Sequence, residues 1–138
     1  MSVNVTPEHV SNAYKVLGSG DASLIADYWD ESMVWLVPGH NQLSGWKYGR
    51  DAFLEFMAKV GELSGGSFHM QAITIMCNDD YSCDVTNNQG TRSNDASKKL
   101  NIDVAHVLRW RDGKVIAGKG GIFGDGTDQY DHFWGYRV

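Results

Sequence analysis

The sequence predicts an α+β fold: a cone-shaped, curved and mostly antiparallel sheet, with three N-terminal helices enclosing a pocket. Three observations predict it. Two capped helical patterns open the chain. A short strand, a polar loop and a third helix follow between Met33 and Leu63. From residue 67 to residue 123 strand follows strand, with turn residues between them. Helices first and a meander afterwards place the helices on one face of a single sheet.

The elements follow in order. Thr6-Pro7-Glu8 starts the first helix with a capping hydroxyl, a proline at the first helical position and an acid in the first turn. Val10, Ala13, Tyr14 and Leu17 recur at helical spacing, and Gly18-Ser-Gly20 ends the run. Asp21 caps a second helix with Leu24, Ile25, Tyr28 and Trp29 as its apolar stripe. Met33–Val37 is the first strand. It runs through a Pro-Gly turn into an aromatic-rich loop that hangs His40, Asn41, Trp46 and Tyr48 near a cavity mouth. Residues 50–63 form the third helix, with Phe53, Leu54, Phe56, Met57 and Val60 buried. Ser64-Gly-Gly66 breaks it. Strands are expected at 67–77, 81–91, 99–111 and 114–123, and Asp112-Gly113 is the strongest hairpin signal. Residues 88–98 read as an exposed connection.

Composition narrows the function. The chain has 138 residues, enough for one domain with a real core, expected to span residues 1–138. Sixteen glycines against two prolines fit a turn-rich sheet protein. A net charge of -5 argues against nucleic acid as a partner, because phosphate binding needs clustered Lys and Arg. No apolar run reaches membrane-spanning length, and the first ten residues lack a signal-peptide pattern, so a cytoplasmic protein is expected. Cys77 and Cys83 flank a turn at Asn78-Asp79-Asp80. A two-residue turn puts them on opposite faces and forbids a disulfide, and a three-residue turn would pair them; free thiols are the expected state.

Several side chains stand out as chemistry. In Ile102-Asp-Val-Ala-His-Val-Leu-Arg-Trp110, alternation puts His106 on the apolar face with Ile102, Val104, Leu108 and Trp110, and puts Asp103, Val107 and Arg109 on the other. An imidazole, with an ordinary pKa of about 6.5, can give or take a proton near neutrality. Asp125 follows the last strand at the expected pocket rim, where a carboxyl in a partly dry site can trade protons. Asp128 caps the terminal turn. Tyr14, on the inner stripe of the first helix, is a donor candidate, and Asn87 is a candidate amide. Trp35, Phe53, Phe56 and Phe123 are the expected pocket walls. His69 faces either solvent or a dimer sheet, and His9 is expected at the surface.

Trp35-Leu-Val-Pro-Gly39, Leu43-Ser-Gly45 with Tyr48-Gly49, His106-Val-Leu-Arg-Trp-Arg-Asp-Gly113 and Asp128-Gln-Tyr-Asp-His-Phe-Trp134 together span most of the chain. On them the chain resembles the SnoaL-like polyketide cyclase branch of the superfamily of ketosteroid isomerases and nuclear transport factor two. The resemblance implies a cyclase or isomerase that acts on a polyketide-like substrate by acid–base chemistry, without cofactor or metal, as a homodimer. It places a donor where His106 stands, an acid–base aspartate where Asp125 stands, and a tyrosine donor near Tyr14. Ketosteroid isomerases also carry a base aspartate on the first strand, and Val34–Val37 has no acid. Two alternatives accompany this reading. One is a non-catalytic binder of a hydrophobic ligand. The other is a limonene-type epoxide hydrolase, for which Asp103 and Arg109 offer the residue types but not the face.

Overall fold

The computed structural model describes residues 4–136. Its elements run α1 (Pro7–Val16), α2 (Ala22–Tyr28), β1 (Trp29–Val37), β2 (Gly45–Tyr48), α3 (Arg50–Leu63), β3 (His69–Cys77), β4 (Tyr81–Arg92), β5 (Asp95–Arg111), β6 (Lys114–Ile122) and α4 (Gly126–Trp134). The six strands form one unclosed sheet in the order β2-β1-β6-β5-β4-β3. Every neighbour pair is antiparallel except β1 with β6. The expected α+β cone is the fold: the three N-terminal helices are α1, α2 and α3, and a fourth, α4, follows the last strand.

Local sequence explains the caps. Thr6 accepts from the His9 amide at the head of α1, and Asp21 accepts from the amides of Ser23 and Leu24 at the head of α2. Register shifts at Ala72/Thr74, Arg109/Trp110 and Trp29/Val34 break the ladder. Such bulges bend strands, and here they let the sheet wrap its concave face around the helices. That face supplies the core: Trp29, Met33, Leu108, Val115, Phe133 and Trp134 are fully or almost fully buried. Gly118 is needed on β6, because a Cβ there would lie 2.5 Å from Trp35 Cζ3 and 2.7 Å from Leu108 Cδ2.

Four expectations are corrected. Trp29 is not on the stripe of α2; it opens β1, fully buried, with its indole donating to the Ala13 carbonyl at 2.9 Å. Residues 45–48 are the edge strand β2, not loop, and Trp46 and Tyr48 stand exposed beside the outward Leu36 and Val34. Residues 88–98 are not a connection: β4 and β5 pair as far as Arg92 and Asp95 across a tight turn. The tail winds into α4, whose Tyr130, Phe133 and Trp134 bury one face. Asp128 lies in the first turn of that helix.

Other side chains tie the elements. His9 is half-buried rather than on the surface, and its Nε2 meets the Gly113 carbonyl at 2.8 Å, linking α1 to the β5–β6 turn. Asn41 is fully buried instead of hanging at a mouth; its Nδ2 donates to Asp131 on α4 at 2.8 Å, as does the His40 amide. Cys77 and Cys83 are free, Cys77 on the concave side reaching the Val5 carbonyl and Cys83 on the convex side. Among the described residues no helix is long and apolar enough to cross a membrane.

Candidate active site

β5 carries His106 into the concavity, and β4 carries Asp84 directly across from it. Both are buried, at 6 % and 0 % exposure. His106 Nδ1 lies 2.9 Å from Asp84 Oδ1. From α1, the Tyr14 hydroxyl donates to Asp84 Oδ2 at 2.6 Å. Thr86, two residues along β4 and therefore on the same face, donates its hydroxyl to Asp84 Oδ1. One carboxylate thus holds an imidazole, a phenol and an alcohol.

Electrostatics fixes the protons. Burial alone would push the Asp84 carboxyl up. The hydrogen bond and Coulomb field from His106, with the hydroxyls of Thr86 and Tyr14, outweigh it and hold the carboxyl below its ordinary value. Asp84 is therefore ionised near neutrality and can only accept, so His106 Nδ1 must carry a hydrogen. In the neutral form of the ring the lone pair is on Nε2, which has no hydrogen-bond partner among the described residues. Burial, followed by the adjacent Asp84 charge, raises the Tyr14 phenol well above 10, so Tyr14 remains a proton-bearing donor.

The cavity has two parts. An inner chamber of about 50 Å³ is lined by Trp35, Phe53, Phe56, Asn88, His106 and Trp134, among others. An outer cleft of about 760 Å³ opens between α1, α3 and β3, with Asp84 and Thr86 in its wall. Tyr14, Leu17, Met57, Phe68 and Met70 border both parts. A water needs on the order of 10–15 Å³ of such volume, so the chamber admits a few waters or one small substituent, and only the cleft has room for the body of a ligand. Aromatic rings build the chamber wall: Trp35 lies 5.0 Å from Phe53 and 5.8 Å from His106, centroid to centroid.

The expected site residues divide accordingly. His106, Tyr14, Trp35, Phe53 and Phe56 meet at the cavity. Asp125 does not: it is exposed in the turn before α4, where its carbonyl accepts from the amides of Asp128 and Gln129. Phe123 is 58 % exposed, because strand alternation gives Gly120 and Ile122 the concave face and turns the next residue away from it. Asn87 faces outward and bonds Asn101 and Asp103; the inward amide is its neighbour Asn88, since one residue along a strand reverses the face. Asp103 and Arg109 lie on the convex face, with Arg109 over the Tyr81 ring. His69 is exposed at the rim of the cleft, bonded to the Ser67 carbonyl.

Asp84 was missed. β4 turns its more polar side inward: Ser82, Asp84, Thr86 and Asn88 are all buried, while Cys83 and Val85 face out. The alternation was visible in the sequence, but the polar-out rule assigns it the wrong way round.

Fold and site together define an α+β cone whose cavity holds a buried cluster of His106, Asp84, Tyr14 and Thr86. The chain belongs to the SnoaL-like domain family, whose pattern it matches over residues 10–117. Bal32a, from a soil-derived mobile gene cassette, has a similar structure: TM-score 0.82 at 26% identity, covering 93% of this chain and 95% of that one. A Xanthomonas campestris protein of unknown function with a cystatin-like fold gives TM-score 0.80 at 22% identity, covering 93% and 96%. TerC, co-crystallised with polyporic acid, gives TM-score 0.69 at 20% identity, covering 84% and 89%. No curated protein matches the sequence.

Proposed function

We propose that the protein is an enzyme of small-molecule biosynthesis, a cyclase or isomerase that acts on a flat, polyketide-like substrate by general acid–base chemistry. The observation that carries this reading is the free Nε2 of His106 in a small aromatic chamber, with Nδ1 tied to a buried carboxylate. In this reading Nε2 removes a proton from carbon beside a carbonyl, the Asp84 charge stabilises the imidazolium that forms, and the same nitrogen returns the proton at the new position. Asp84 is a positioning residue, and Tyr14 and Thr86 hold it. The substrate body occupies the outer cleft and its reacting end reaches the chamber. A fold neighbour co-crystallised with polyporic acid supports a small organic ligand.

Proton abstraction can be tested without knowing the product. β-Tetralone is a flat ketone with exchangeable α-protons, and NMR follows its uptake of solvent deuterium. Wild type should accelerate the exchange, and His106→Ala should lose on the order of 10²–10⁴-fold of the acceleration. Equal rates in wild type and His106→Ala would remove the role.

One observation favours a second reading, that of a binder without catalysis. Among the described residues, His106 is the sole imidazole and no carboxyl lines the inner chamber. Tight binding of flat apolar ligands with no exchange would select that reading.

A second copy of the chain is the proposed partner. All four helices pack on the concave side, which leaves the convex face bare with Tyr48, Trp46, Val107, Tyr81 and Met76 exposed. A broad apolar face of this kind marks an interaction surface.

A further inference from the structure

The inward side of β4 is a polar ladder of Ser82, Asp84, Thr86 and Asn88, exposed by only 2 %, 0 %, 4 % and 4 %. Three rungs are accounted for. Ser82 accepts from the Trp110 indole, Asp84 binds Tyr14 and His106, and Thr86 donates to Asp84. The fourth is not: the Asn88 side-chain oxygen is buried and has no partner. Its surroundings in the chamber are apolar or aromatic, among them Phe68, Val104, Tyr130 and Trp134. The Trp134 indole stands edge-on to Tyr130, with ring centroids 6.2 Å apart. An acceptor thus stands unpaired in one small chamber. Buried polar groups are normally paired, and an orphan kept in such a place points to a partner that arrives from outside.

We propose that Asn88 is a specificity-determining residue, which receives a hydroxyl group at the buried end of an elongated aromatic ligand. The inference rests on the reading of this cavity as a small-molecule site and deepens it by naming the ligand class. A hydroxyl fits because it is a small group that can donate to the Asn88 side-chain oxygen. The chamber is small enough to admit that group and exclude a bulky one. Asn88 lies four residues from Asp84 along β4, roughly 13 Å at strand rise, so a ligand with its hydroxyl at Asn88 and its body beside Asp84 in the outer cleft is long rather than compact. Such a site rejects an analogue that lacks the hydroxyl, because its buried acceptor then stays unpaired.

Isothermal titration calorimetry with 4-phenylphenol, biphenyl and 4-methylbiphenyl tests this, on wild type and on Asn88→Leu. Wild type should bind the phenol roughly tenfold more tightly than the methyl analogue, and Asn88→Leu should abolish the difference while retaining the hydrocarbons. Circular dichroism checks that the variant folds; should it not, Asn88→Ala is read in the same way. Equal wild-type affinity for phenol and methyl analogue, or a preference that survives in the variant, overturns this inference and leaves the cavity reading standing. Failure of all three probes to bind wild type overturns both.

Discussion

His106 and Asp84 sit on adjacent antiparallel strands as direct partners, and their side chains meet at 2.9 Å inside the cone. The pairing makes acid sensitivity a property of the site. The Asp84 carboxyl is held below its ordinary value in the folded protein. Its stabilisation is therefore complete above the unfolded-state value of about 3.9 and is lost as pH falls through the lower folded value. Asp30 and Asp95 are lowered as well, by Ser32 and Ser97 hydrogen bonds, and share the same acid limb. The difference between wild type and Asp84→Asn isolates the buried group. The variant should be about 1–3 kcal/mol less stable at pH 7. Its melting temperature should also fall less steeply below pH 4. Parallel acid limbs in thermal melts would show that Asp84 does not gain its charge from this pairing.

Tyr14→Phe removes one donor from Asp84 and keeps the ring that packs against Trp29 and His106. A hydrogen bond to a buried carboxylate contributes about 1.5–3 kcal/mol, so urea denaturation should show a loss of that order. In β-tetralone exchange the variant should retain far more activity than His106→Ala, because Tyr14 acts through Asp84. A collapse to the His106→Ala rate would make the phenol a direct participant.

The sequence makes the concave face of β5 legible and leaves that of β4 obscure, for one physical reason. Along β5 the inward residues are apolar apart from His106, so ordinary burial logic orients the strand and exposes the anomaly. Along β4 the inward residues are Ser82, Asp84, Thr86 and Asn88, and the same logic inverts the strand. A functional site is where local rules fail in this way. Length hid β2, since four residues carry too little period to distinguish strand from loop. Helix α4 had its signal in Tyr130, Phe133 and Trp134, spaced three and four apart, but a tail rich in Gly and Asp reads as turn. Asp125 and Phe123 were placed by position at the end of β6: parity opposite to Gly120 and Ile122 turns Phe123 off the concave face, and Asp125 sits in the turn that opens α4.

Gly118 tests how tightly the chamber wall is packed. A Cβ there would press on the Trp35 six-membered ring at 2.5 and 2.6 Å. Trp35 is itself held against Phe53 and His106, so it cannot retreat freely. Gly118→Ala should cost about 1–3 kcal/mol as overpacking. Trp35→Phe removes the two closest atoms in conflict and leaves only Leu108 Cδ2 at 2.7 Å, so the double variant should lose less than the sum of the two single changes, with a coupling of at least about 0.5 kcal/mol in a denaturation cycle. Strict additivity would mean that the strand, not the ring, absorbs the new methyl group.

The convex face gives the last prediction. Val107 is 38% exposed at the middle of β5, with Cys83 paired to it on β4 and Lys119 on β6. Toward one edge stand Met76 and Tyr81, and toward the other Trp46 and Tyr48. A second copy laid on this face would bury Val107 near the centre of the contact, where a longer, charged side chain must be desolvated and spoils the packing even with Lys119 beside it. Val107→Glu should therefore convert the proposed dimer to monomer, raising the dissociation constant by 100-fold or more in sedimentation equilibrium. Because the side chain points away from the cavity, the folded monomer should keep its affinity for flat aromatic probes. Wild type sedimenting as a monomer, or a variant that remains dimeric, would assign the bare face to some other contact.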